Sequence, residues 1–179
     1  MSTHLGIPPC AIDLADRLAI VDILHSHCRG LDRLDAKLLQ QCYWPDADVD
    51  YGSYRGSAQD FAGLVVTALG QSYELTRHRI GNSLIELHDA TAGVESYVNA
   101  VHLFPGGEQE MRFDGRYLDT LEKRDGQWKL LFRQVVMDWS STRSLKDERQ
   151  SEAFAAFTKG RHDREDPLYS FITDGDGQG

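Results

Sequence analysis

Cysteine is scarce in this 179-residue chain; Cys10, Cys28 and Cys42 are the full set. The number is odd, the spacing is wide and no C-x-x-C pair occurs, which argues against a disulfide framework or a structural zinc site. A reducing, cytoplasmic setting is the expectation that follows. Long hydrophobic runs are also missing: no apolar stretch nears the ~20 residues needed to span a bilayer. Met1 to Cys10 show neither a basic nor an apolar leader region, so no secretory signal is expected. Positive charge is in deficit, with 19 Lys and Arg against 28 Asp and Glu, a net charge of -9. Nucleic acid and anionic membrane are therefore not expected partners, since both require a positive face. No G-x-S-x-G elbow is present, no glycine spacing suits a phosphate cradle, and no internal repeat occurs.

What is present reads as one domain with a real core. Leu14, Leu18, Val21, Leu24, Cys28 and Leu31 recur at steps of three and four, which predicts an amphipathic helix with Asp13 as a cap and Gly30 loosening its end. Asp35 can cap a second, short helix through Gln41. Asp32 has no such local task, and an acid at a helix C-terminus opposes the macrodipole. Pro45 breaks the second helix, and Asp46 to Gly52 reads as a short strand. Its alternating aspartates do not complete a calcium loop, because Tyr51 and Ser57 stand where Gly and Glu belong. Ser57 and Asp60 form a capping box for a third helix through Leu69, with Gly70 as its stop.

Residues 75–139 read as sheet. Four long segments, about 76–87, 92–104, 110–123 and 127–139, are joined by short connectors, so they form a consecutive antiparallel meander. Arg124-Asp125-Gly126 is the strongest hairpin signal. Strands this long are expected to curl strongly. The reading is α+β: a half-open cone with three N-terminal helices on the concave face around a pocket. In the first long segment His78, Ile80, Asn82 and Leu84 share one face. Imidazole is suited to proton transfer near neutral pH, and Asp32 is the best candidate to orient it. His25 and His27, two apart on a helix, face different ways and do not suit chelation. Residues 1–10 read as a loose arm, 11–140 as the domain and 141–179 as an extension. In the extension, 151–159 could form a helix, 161–166 is solvated, 167–171 docks as an anchor and 173–179 is disordered.

Several stretches resemble a known family. They are Gly30-Leu31-Asp32-Arg33-Leu34-Asp35, Trp44 through Gly52, Thr76 through Asn82, Gly115-Arg116-Tyr117-Leu118-Asp119 and Asp125 through Leu130. Their order and spacing are similar to a SnoaL-like domain of the NTF2-like superfamily, over roughly residues 10–140. The branch resembled includes scytalone dehydratase, a bacterial bile-acid dehydratase and a hexachlorocyclohexane dehydrochlorinase. The resemblance implies an Asp–His base, here Asp32 and His78, in a lyase or isomerase that needs no cofactor and no metal. It implies a small, cyclic, mostly apolar substrate, with His27, Arg133 and His102 as further pocket residues. His27 departs from the Tyr or Lys of the related enzymes. A homo-oligomer is implied, a trimer before a dimer. The alternative is a non-catalytic ligand-binding or assembly module resembling the small subunit of ring-hydroxylating dioxygenases.

Overall fold

The computed structural model describes residues 9–175. In chain order the elements are α1 (Ala11–Asp32), α2 (Ala36–Cys42), β1 (Tyr43–Asp50), β2 (Arg55–Ser57), α3 (Ala58–Ser72), β3 (Leu75–His88), β4 (Thr91–Leu103), β5 (Gln109–Arg124), β6 (Gln127–Ser144) and α4 (Pro167–Gly175). The strands β3 to β6 make the expected antiparallel meander within a six-stranded sheet of order β2-β1-β6-β5-β4-β3. The connector Asp125-Gly126 has positive φ at both residues, the conformation that suits a tight two-residue hairpin.

The architecture corrects the expected cone in three respects. The sheet is open and not strongly curled. β2 has three residues and pairs only with β1, β3 pairs only with β4, and register shifts interrupt the β3–β4 and β5–β6 pairings. It is not wholly antiparallel, because β1 runs parallel to β6. All of α3 and β3–β5 lie between those two strands, a connection long enough for a parallel pair. A fourth helix follows the sheet, with Pro167 at its first position, where its missing N–H costs nothing.

Local chemistry accounts for the helix ends. Cys10, not Asp13, caps α1, its Sγ accepting from the Asp13 N–H. Asp35 accepts from Leu38 N and Ser57 from Asp60 N, as their sequence positions predict. The buried side of α1 is Ile20, Leu24, His27, Cys28 and Leu31; Leu14 and Leu18 are exposed. Gly30 is a packing residue, since a Cβ there would sit 2.7 Å from Leu39. Gly70 does not stop α3, which continues to Ser72 with Leu34 lying against the glycine. Ile20, Leu24, Tyr43, Val49, Phe61, Val94, Leu121, Trp128 and Leu130 are the centre of the main core. Each such side chain contributes about 1.5–3 kcal/mol on burial.

β3 changes phase. A bulge between Ile80 and Ser83 turns Ile85 and Leu87 to the core and leaves Leu84 exposed. The face predicted from His78 through Leu84 therefore ends at Ile80. Beyond β6, which runs to Ser144, residues 151–159 form turns rather than a helix. Phe154 and Phe157 are exposed there, so no apolar face stabilises a helix, and Lys159 donates to the carbonyls of Phe154 and Phe157. Asp166 is buried rather than solvated, and α4 extends across part of the stretch expected to be disordered. The rest of that stretch, and most of the N-terminal arm, lie outside the described residues. No helix among the described residues is long and apolar enough to cross a membrane.

Candidate active site

Asp32 is the last residue of α1, and α1 packs on β3, which carries His78. The Asp32 carboxylate accepts the backbone N–H of His78 at 2.9 Å (Oδ1) and 3.1 Å (Oδ2), and its Oδ1 lies 2.7 Å from His78 Nδ1. One carboxylate thus grips both the main chain and the ring of the same residue. An ionised carboxylate only accepts, so it holds the neutral imidazole in the Nδ1–H tautomer. Nε2 then presents a lone pair and has no hydrogen-bond partner among the described residues. Both side chains are largely buried, His78 at 8% exposure and Asp32 at 15%.

The pair lines a cleft of about 490 Å³ with His25, Cys28, Arg29 and Arg33 from α1 and its end, Arg79 and Ile80 from β3, and Leu168 from α4. Burial pushes the Cys28 thiol up to about 12, so it is a neutral wall residue rather than a nucleophile. Arg33 and Asp166 approach to 3.4 Å, and Arg164 and Asp35 to 3.0 Å; both contacts tie the C-terminal segment beside Asp32.

His102, on β4, packs edge-on against His78 with ring centroids 5.4 Å apart and stacks on Tyr73. Its Nδ1 is 2.8 Å from Thr76 Oγ1. Burial first, and the neighbouring His78 second, bring its pKa down to about 4, so it is neutral at physiological pH.

His27 and Arg133 meet each other but do not line the cleft. Both have 0% exposure. Arg133 makes two 2.7 Å bonds to Asp119, lies 3.9 Å from the Tyr117 ring centroid and donates to His27 Nδ1 at 2.9 Å. A guanidinium only donates, so Nδ1 is bare and Nε2–H donates to Tyr43 Oη at 2.8 Å. Burial, then Arg133, hold His27 well below the usual imidazole range. Burial opposes the charge of Arg133, but Asp119 outweighs it and keeps the guanidinium ionised. The phenols of Tyr43 and Tyr117 are pushed up by burial and remain protonated.

Sequence reasoning passed over Asp119, Tyr43 and Thr76 as site residues, while Leu168 lies in the segment expected to dock as an anchor. Asp119 and Arg133 are register partners across the β5–β6 hairpin, displaced by one residue at a bulge. Counting back from the Asp125-Gly126 turn brings Asp119 within one position of Arg133.

A family model for the SnoaL-like domain matches residues 13–134. The chain belongs to the SnoaL-like domain family, within the NTF2-like proteins. Its fold is shared with a structure assigned as a scytalone dehydratase from Novosphingobium aromaticivorans, at 23% identity and TM-score 0.66, covering 78% of this chain and 97% of that one. It is similar to a type 2 hexachlorocyclohexane dehydrochlorinase (LinA) at 26% identity and TM-score 0.64, covering 73% and 90%. It shares the fold of the LinA-type3 dehydrochlorinase from Novosphingobium barchaimii, at 22% identity and TM-score 0.67, covering 73% and 92%. No curated protein matches the chain.

Proposed function

We propose that this SnoaL-like protein is a lyase of the dehydratase type, or an isomerase, with His78 as its base and Asp32 as the residue that orients it. The observation that carries this reading is the carboxylate grip on His78 Nδ1 and N, with Nε2 left unpaired beside a cleft. Nε2 takes a proton from a carbon next to a carbonyl. The electrons of the broken C–H bond form the new double bond, and the group on the adjacent carbon leaves with its bonding pair. A departing hydroxyl takes the proton back from the imidazolium and leaves as water. Asp32 stabilises that imidazolium, and the buried setting strengthens the attraction. In isomerisation the proton returns to a different carbon instead. Both chemistries proceed on these side chains without a cofactor.

The neighbours are assigned supporting work in this reading. His102, neutral and edge-on to His78, fixes the ring plane. His27 and Arg133 stiffen the wall behind Cys28 rather than touching substrate. A small cyclic body suits the floor formed by Cys28, Ile80 and Leu168. The chain also associates with copies of itself through the outer sheet face, a trimer being expected before a dimer. Leu84, Tyr97, Phe132 and Trp139 stand exposed there. A monomer in sedimentation equilibrium at micromolar concentration would contradict that.

The deciding assay is turnover of a panel of cyclic β-hydroxy ketones and thioesters by the full chain, with His78→Gln and Asp32→Asn alongside. Loss of about 10²–10⁴-fold is expected for His78→Gln, the range of general-base contributions. Turnover unchanged in that variant removes His78 as the base. No turnover by the parent on any member favours the non-catalytic alternative.

A further inference from the structure

Arginines in this chain are almost all engaged. Arg33, Arg55, Arg112, Arg116, Arg124, Arg133, Arg143, Arg149, Arg161 and Arg164 hold ion pairs, and Arg17 donates to the Ile85 carbonyl. Among the described residues, the guanidiniums without a hydrogen bond or ion pair are those of Arg29, Arg77 and Arg79. All three gather at one edge of the fold, around β3, in a chain whose net charge is -9. Arg29 and Arg79 line the cleft that holds the Asp32–His78 pair, one from α1 and one from β3. Arg79 also lines a recess of about 220 Å³ next to that edge, together with Arg77 and Arg112. The acidic groups in these two clefts are already occupied: Asp32 by His78, and Asp114 by the amide of Asn99. Arg33, the third arginine of the active-site cleft, donates from Nη1 to the Asp32 carbonyl at 3.1 Å and approaches Asp166 to 3.4 Å.

Arg29 and Arg79 line one cleft from two elements, and neither is held in an ion pair; guanidinium forks are suited to an anion, because they match carboxylate and phosphate oxygens. The apolar floor of Cys28, Ile80 and Leu168 lies in the same cleft, so ring and anion can be held together.

We propose that the substrate of this cleft is a ring compound bearing an anionic group, and that Arg29 and Arg79 bind that group while the ring lies beside His78. The proposal rests on the elimination reading of the same site and names the substrate class for it. The anion has two sources. A carboxylate on the ring itself is held by Arg29 and Arg79 alone. A phosphate-bearing tail, as on a nucleotide thioester, would in addition follow Arg79 toward Arg77 and Arg112.

Three probes separate these cases in binding titrations of the full chain, followed through its backbone amide signals. They are benzoate, the neutral benzyl alcohol and the coenzyme A thioester of benzoate. An anionic probe is expected to bind about ten-fold or more tightly than benzyl alcohol, a difference that shrinks as salt rises. Arg29 and Arg79 are exposed, so Arg29→Gln and Arg79→Gln are expected to leave folding intact. Each is expected to weaken the anionic probe about five- to ten-fold and leave benzyl alcohol unaffected, the scale of one charge-assisted contact. Benzoate binding assigns the anion to the ring. Binding of the thioester alone, weakened further by Arg77→Gln, assigns it to the tail. Equal affinity for charged and neutral probes, indifference to both cleft substitutions, or no binding of any probe overturns the proposal. Binding does not require the base, so His78→Gln is expected to retain it. Anion binding with no turnover of any substrate would contradict the elimination reading and leave this one standing.

Discussion

His27 and His78 sit on adjoining elements, and each is held at Nδ1 by a charged partner, yet the partners have opposite sign. Asp32 accepts from His78 and leaves Nε2 bare on the cleft side. Arg133 donates into His27, so the remaining Nε2–H is spent on Tyr43 in the sealed interior. One imidazole thereby keeps a free acceptor nitrogen, while the acceptor atom of the other faces a guanidinium. What separates the proposed base from a packed histidine here is the polarity of the neighbour and access to the cleft, not residue type.

The sealed cluster is where the comparison breaks most readily. Asp119→Asn leaves the Arg133 charge buried without its counter-ion, and a loss of about 3–5 kcal/mol in urea unfolding is expected. Replacing the pair together, as Asp119→Leu with Arg133→Met, is expected to cost less than the single change. A single change as mild as a surface substitution would show that the pair does not hold this wall.

A second effect, of about 3 kcal/mol, comes with pH. The pKa of His102 is about 4 in the fold and 6.5 as the reference value, so between those values the unfolded chain binds more protons. Stability is therefore expected to fall as pH drops from 6.5 to 4, with His27 acting in the same direction. Urea unfolding across this window checks it, and His102→Gln is expected to flatten the slope. An unchanged slope in that variant would mean that His102 is not held neutral by the fold.

Much of this arrangement was legible in the chain. Asp32 stood out because an acid closing a helix has no local use, and His78 because of its place on a half-apolar strand. Asp35, Ser57 and the Asp125-Gly126 turn carry their own backbone chemistry, and each does what its position predicts. Bulges defeated the rest. The phase slip after Ile80 moved Leu84 outward, and the extra residue in β6 moved Arg133 opposite Asp119. A bulge leaves no periodic trace in sequence, so a pattern read through it places every later side chain on the wrong face. The openness of the sheet depends on which strands pair at its ends, and strand length does not determine that. Leu168 lines the same cleft as His78 from ninety positions further along the chain; the sequence marked its segment as an anchor but not where it docks.

The contrast between the two histidines reduces to which ring nitrogen carries the proton. Long-range ¹H–¹⁵N correlation of the imidazoles, assigned by His27→Gln and His78→Gln, reads it directly at pH 8. The account predicts opposite tautomers: His78 protonated at Nδ1 and His27 at Nε2, with His78 losing its fixed tautomer in Asp32→Asn. Finding His78 protonated at Nε2, with its Nδ1 bare, would contradict it.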